Sequence, residues 1–148
     1  MVIVRKAAVR DIPRILELYE ELTENKQDIS PAKAKQILRQ INAISEGRLL
    51  VAEQDGLVLG TLYIQVIPSL SHNGTPYAVI ENVVVDKRFH KQGIGRLLIE
   101  NALTFARGAG CYKVQLRSMK KRLDAHQFYR AFGFEDSARG FRLYFNKD

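Results

Sequence analysis

The residues that could do chemistry are concentrated between Val79 and Ala109, which reads V-I-E-N-V-V-V-D, K-R-F-H-K-Q-G-I-G, then R-L-L-I-E-N-A-L-T-F-A-R-G-A. Gly93 and Gly95 stand among the cations Lys87, Arg88, Lys91 and Arg96. The β-branched run before them predicts a strand. The spacing of Ile94, Leu97, Leu98, Ala102 and Phe105 predicts a helix after them. First-turn N–H groups of a helix lack an internal partner, and the helix dipole favours negative charge there. Glycines at such a junction therefore suit phosphate binding. An ordinary tight connection is the competing reading of a bare G-x-G.

Two phosphate motifs are excluded. No G-x-x-x-x-G-K-S/T run occurs, and the position three after Gly95 is Leu98 rather than the third glycine of a dinucleotide fingerprint. What remains is H-K-Q-G-I-G-R, following a V-x-V strand. This resembles the acyl-CoA signature of the GCN5-related N-acetyltransferases (GNAT): Arg or Gln, two residues, Gly, one residue, then Gly or Ala. His90 stands where that family usually has Arg or Gln. A second family motif, F-Y-x-x-x-G-F, is matched by Phe128, Tyr129, Gly133 and Phe134.

The resemblance implies a site. Acetyl-CoA, as co-substrate, would insert between the central strand and the next. The backbones of Val83, Val84 and Val85 would pair with the pantetheine arm, in the manner of an added strand. The N–H groups of Lys91, Gln92, Gly93, Ile94, Gly95 and Arg96 would hold the pyrophosphate. Tyr129 matches the family tyrosine that serves the leaving thiolate. Arg122 occupies the place of a cofactor-contacting Asn, where it would meet a CoA phosphate or an anionic substrate, or simply be solvated. The implied reaction is direct transfer of the acetyl group to an amine through a tetrahedral intermediate.

An alkyl amine, with a pKa of about 10, is mostly protonated at neutral pH and must lose a proton to attack. Glu81 is the expected base, directly or through water. Strand alternation places it on one face with Val79, Val83 and Val85, and a carboxylate flanked by apolar groups suits proton abstraction. A solvated strand-end glutamate is the equal alternative. Cys111 invites a covalent acyl-enzyme but lacks a neighbouring histidine, so a small core residue is expected. His72, His90 and His126 have no metal-ligand spacing, and no metal is expected.

These residues need elements to position them. The 148 residues fit one domain, 1–148. Val2 to Arg5 reads as a strand. A helix follows, with Asp11 as its cap and Ile12, Ile15, Leu16, Tyr19 and Leu22 on its inner face. Ser30-Pro31 starts a second helix. Arg48 to Gln54 and Leu57 to Ile67 form strands around the Asp55-Gly56 turn. Pro68 to Pro76 is a loop. Beyond the central strand and helix, Tyr112, Val114 and Leu116 alternate as a strand. Asp124 to Ala131 is a short helix, and Phe141, Leu143 and Phe145 alternate as a last strand. The order β-α-α-β-β-β-α-β-α-β predicts an α/β fold. By resemblance this is the GNAT-like three-layer α/β/α sandwich on a mixed, mostly antiparallel sheet.

Net charge is +7, which suits nucleic acid, an anionic surface or a phosphate-rich ligand. The cations are dispersed and no zinc-finger pattern occurs, so nucleic acid is not the expected partner. No apolar run approaches the ~20 residues of a membrane span. One cysteine precludes an internal disulfide, and a cytoplasmic setting is expected. The leading expectation is an N-acetyltransferase for a small primary amine. D-A-H-Q-F-Y and the G-F-R-L-Y-F ending resemble aminoalkylphosphonate acetyltransferases, and I-E-N-V-V-V with G-C-Y-K resembles glucosamine-6-phosphate acetyltransferases, which implies an anionic amine. Acetylation of protein lysines or N-termini, and a non-catalytic CoA-binding sensor, are the alternatives. Homodimerisation is compatible with the sequence.

Overall fold

The computed structural model describes residues 1–146. Its elements are β1 (Ile3–Lys6), α1 (Ile12–Thr23), α2 (Pro31–Ala43), β2 (Gly47–Gln54), β3 (Leu57–Ile67), β4 (Tyr77–Val85), α3 (Ile94–Gly108), β5 (Val114–Leu116) and α4 (Leu123–Ala131). One sheet in the order β1-β2-β3-β4-β5 carries them. Its pairs are antiparallel except β4 with β5.

Local chemistry sets several boundaries. Ser30 accepts a hydrogen bond from the Lys33 N–H, and Pro31 opens α2. Asp55 and Gly56 both take positive φ, 51° and 81°, as the tight β2–β3 turn requires. Asp11 does not cap α1 as expected. Its carboxylate turns back to the Ala8 N–H at 2.7 Å and to both terminal nitrogens of Arg5, because a guanidinium fork is the stronger partner.

Apolar faces build two layers of core. Leu62, Ile64, Ala78 and Ile80 pack against Leu98, Ile99 and Ala102 of α3, with Tyr129 of α4. On the other face, Val51, Val58 and Val84 pack against Ile15, Leu18 and Leu38 of α1 and α2. The sandwich is therefore α/β/α. No helix among the described residues is long and apolar enough to cross a membrane.

The central strand is not regular. Thr61 pairs with Val84, yet Tyr63 pairs with Glu81, so β4 carries an extra residue there. Asn82 absorbs it with φ of 55°. The bulge reverses the side-chain alternation. Ala78 and Ile80 point at α3 before it; Val83 and Val85 do so after it. Glu81 thus does not share a face with Val83 and Val85, contrary to the simple period of two.

The expected last strand is not formed. Residues 135–146 carry no strand, and Phe141, Leu143 and Phe145 are 85%, 83% and 94% exposed. Alternation tells which face a strand would bury, but a strand also needs a neighbour. β5 is only three residues long, and no strand among the described residues pairs with its outer side.

Leu98 is fully buried where α3 meets the sheet. Leu98→Ala is expected to lower stability by about 2–5 kcal/mol, read as a shifted urea midpoint at unchanged slope.

Candidate active site

The site begins where two parallel strands part. β4 and β5 are paired from Ala78–Val114 to Ile80–Leu116 and no further, whereas β3 follows β4 on its other side to Val85. The backbone edge of β4 from Val83 to Val85 is consequently left without a strand on the β5 side. The extra residue at Asn82 bends β4 at that point.

Asp86, at the end of β4, fixes the turn that follows. It is 2% exposed. The Arg88 guanidinium bonds it at 2.7 Å, the Arg88 N–H at 2.9 Å, and Arg14 reaches it from α1. Those bonds, Arg88 foremost, hold its carboxyl well below the usual range despite burial. Its own N–H donates to the Leu59 carbonyl at 2.8 Å. The turn is tied at its far side by His90, whose Nε2 lies 2.8 Å from the Val85 carbonyl oxygen. A carbonyl can only accept, so that nitrogen carries the proton. His90 thus replaces the expected Arg or Gln with an identifiable structural contact.

Lys91 and Gly93 then take φ of 63° and 83°. Gly93 is the residue before α3, and its carbonyl receives the Leu97 N–H at 3.1 Å. The N–H groups of Ile94, Gly95 and Arg96 sit in the first turn, where no intrahelical carbonyl is available. A Cβ on Gly95 would stand 3.4 Å from the Phe128 ring and 3.7 Å from Val85, so this glycine lets α3 approach α4 and β4 closely. At Gly93 no atom lies within 4 Å of such a Cβ; its φ is what demands glycine. The Arg96 guanidinium lies 4.7 Å above the Phe132 ring and 3.8 Å from the Glu100 carboxylate one turn along α3.

Tyr129 joins this side of the cleft. It is 8% exposed and shares a cluster with Leu98, Val83, Val85 and Phe128. Phe128 and Phe134 meet its ring edge-on at 5.3 and 5.9 Å. Among the described residues its hydroxyl has no hydrogen-bond partner. Burial pushes the phenol's pKa up, and the charge of Arg122 partly opposes this. Arg122 itself sits at the N-terminal boundary of α4, where the helix dipole repels a cation.

Glu81 points to the opposite face, across from Tyr63. Arg117, just beyond β5, donates to its Oε1 at 3.1 Å. The expected apolar surroundings are replaced by a guanidinium. The structure thus brings together Val83, Val85, Gly95, Arg96 and Tyr129, and keeps Glu81 apart from them with Arg117. Sequence reasoning missed Asn82, Asp86 and Arg117. Asparagine inside a valine run was the available signal for the first, since Asn is poor in strands and tolerates positive φ.

Other tempting groups stay outside. Cys111 is partly buried against the core, and burial pushes its thiol up, away from the reactive thiolate. Among the described residues no cluster of His, Cys, Asp or Glu could hold a metal. A cavity of about 250 Å³ between α1 and α2, walled by Ile15, Tyr19, Ile37, Leu38 and Leu49, contains none of the expected site residues.

Comparison with known proteins follows the same outline. The family model described as "Acetyltransferase (GNAT) family" matches residues 15–134. A glucosamine 6-phosphate N-acetyltransferase from Trypanosoma brucei brucei is 30% identical over 135 residues, 90% of this chain and 88% of that protein. An aminoglycoside N(6')-acetyltransferase type 1 from Stenotrophomonas maltophilia is 31% identical over 109 residues, 69% of each. An acetyltransferase candidate from Agrobacterium tumefaciens strain C58 superposes with a TM-score of 0.89 at 31% identity, covering 96% of this chain and 99% of its own.

Because the folded Asp86 carboxyl lies below its unfolded value, its stabilisation is complete above about pH 4 and fades as pH falls below that. In Asp86→Asn, stability at neutral pH is expected to drop and the acid limb to flatten relative to the parent. Urea melts between about pH 2 and pH 7 measure both.

Proposed function

We propose that this chain, which belongs to the acetyltransferase (GNAT) family, uses acetyl-CoA to acetylate the primary amine of a small metabolite carrying an anionic group. One observation carries the reading. The unpaired edge of β4 runs directly into the positive turn and first amides of α3, so an extended chain ending in a diphosphate has matching partners along its length.

The fit can be tested group by group. Val83, Val84 and Val85 would offer backbone on the open edge, with one lone pair of the Val85 carbonyl already bonded by His90. Lys91, Gln92 and Gly93 form the turn, and Ile94, Gly95 and Arg96 supply first-turn amides. Their lack of a Cβ at Gly95, the positive φ at Lys91 and Gly93, and the cation Arg122 at the head of α4 all suit an anion. Acetyl-CoA supplies an acyl group already activated as a thioester.

The chain's residues then have distinct tasks. Tyr129 is buried and its pKa is raised, so at neutral pH its hydroxyl carries a proton and serves as donor rather than base. The Arg122 charge steadies the phenolate left by that donation. Glu81 would accept the amine's proton from the other face of the sheet, directly or through water. Arg117 holds that carboxylate in position. Confining amine and thioester in one opening supplies the larger share of the acceleration. An anionic group on the acceptor is supported by the basic chain, by Arg117 beside Glu81, and by a relative whose substrate name includes a phosphate.

Thermal-shift and calorimetric titrations with coenzyme A, followed by acetyl-CoA turnover on metabolite and peptide amine panels, test the reading. Stabilisation by coenzyme A with thiol release on phosphorylated or carboxylated amines is expected. No binding overturns it, and binding without turnover on any amine makes the chain a coenzyme-binding module. Tyr129→Phe is expected to lower kcat by roughly 10²- to 10⁴-fold while coenzyme affinity stays within about twofold. Gly93→Val is expected to weaken coenzyme A binding by ~10-fold or more, because a branched residue resists the φ required there.

A further inference from the structure

We propose that the cavity between α1 and α2 is a ligand site, separate from the transfer opening, for an apolar primary ammonium ion. The hydrophobic body lies inside and the charge stays at the mouth, beside Asp28. The inference is independent of the chemistry above.

The cavity follows from where the two helices sit. α1 lies over β3 and β4, whereas α2 lies over β2. Space is left between them above the sheet, with Leu49 of β2 in its lining. α2 presents Ala34 to that space, a small side chain where a leucine would help to fill it. The result is about 250 Å³ walled by Ile15, Leu16, Ile37 and Leu38. Protein interiors are packed as densely as organic crystals, and atoms lining a void lose their contacts. A space of this size is therefore costly while empty. Water is a poor filler, because aliphatic walls give it no hydrogen bonds.

Two polar groups say what kind of molecule fits. Tyr19 lines the cavity, and its hydroxyl makes no hydrogen bond among the described residues. Burial pushes its pKa up to about 12, so it stays a neutral phenol whose oxygen can accept from a cation. Asp28 also belongs to the lining, which contains no Lys, Arg or His. It is exposed, and thus at the mouth, and forms no ion pair among the described residues. The segment carrying it is pinned. Glu20 accepts the Gln27 N–H at 2.7 Å, and Thr23 Oγ1 accepts the Asn25 N–H at 3.2 Å.

An aliphatic chamber with one free carboxylate at its entrance complements an organic cation and rejects carboxylates and phosphates. Size narrows the class. An apolar cavity of about 150 Å³ takes benzene, so this one takes a ring with a short alkyl arm. The position excludes transfer. Leu49 pairs with Tyr63, and Tyr63 with Glu81. Two inter-strand spacings, roughly 10 Å, therefore separate Leu49 from Glu81. Tyr63 occupies the row between them, its hydroxyl bonded to Gln65 at 2.7 Å.

Titration of the full chain with phenethylamine, with no acyl donor present, tests the site by methyl NMR. Saturable shifts are expected at the Ile15, Ile37 and Leu38 methyls. Asp28→Asn should weaken the amine by about two- to fivefold and leave phenethyl alcohol, the same body without the charge, unchanged. Ala34→Phe, which fills the space, should abolish binding of both. No saturable shift up to ~10 mM amine overturns the proposal. Shifts confined to residues around Glu81 and Tyr129 overturn it too, since the amine is then bound only as an acceptor. An equal response of amine and alcohol to Asp28→Asn also overturns it, leaving an apolar cavity without selectivity for a cation. Should Ala34→Phe not fold, the exposed substitution Asp28→Asn decides alone.

Discussion

The arrangement depends on a backbone constraint: beyond Ile80, the hydrogen-bonding groups of β4 are satisfied by a strand on one side only. A buried peptide group without a partner is costly, so an open edge in the middle of a sheet must be solvated or filled. Here β3 stays with β4 to Val85 while β5 leaves after Leu116. Inserting one residue into β4 at Asn82 bends the strand where the two part. It also sends Val83 and Val85 to the α3 face and leaves Glu81 on the other. One positive φ angle thus separates two groups of residues across the sheet.

Electrostatics then hold the opening's far end. The turn after β4 is rich in cations, and a loop of like charges resists compaction. Asp86 is the counterweight, because it gathers Arg14 from α1 and Arg88 from the turn around one buried carboxylate. A buried carboxylate would be costly alone; with two guanidinium partners and a backbone N–H it becomes a rivet. His90 ties the same turn to Val85. Lys91, Arg96 and Arg122 are not consumed by this arrangement. Arg122 instead stands at the positive end of α4, an unfavourable place for a cation unless an anion comes between, whereas Arg96 at the head of α3 has Glu100 3.8 Å away.

Much of this was legible in the sequence because it rests on local rules. Gly93 and Gly95, the valine run and the spacing of Ile94, Leu98 and Ala102 fix a strand, a turn and a helix within one stretch. Ser30-Pro31 and Asp55-Gly56 announce their boundaries by side-chain and backbone chemistry alone. The rest required partners far away in sequence. Whether Glu81 has apolar or charged neighbours depends on Arg117, thirty-six positions on. Asp86 gains its meaning from Arg14, seventy-two positions before it. The period of two misplaced Glu81 relative to Val83 because periodicity assumes that no residue is inserted. At Phe141 to Phe145 alternation predicted a strand that the described residues do not form, because a strand needs a ladder as well as a pattern.

His90 shows how a family pattern can be departed from without losing its geometry. The pattern's Arg or Gln and this histidine share little in charge or length. They share a side-chain N–H able to reach back to a carbonyl. In this chain the imidazole spans from the turn to Val85 and closes a loop of six residues, so the amides that follow are presented by a braced turn rather than a free one. The same contact has a consequence for a bound chain along β4. The Val85 carbonyl has two lone pairs, so with His90 on one of them the other is still able to accept. Substitution at position 90 therefore acts first on the stiffness of the turn.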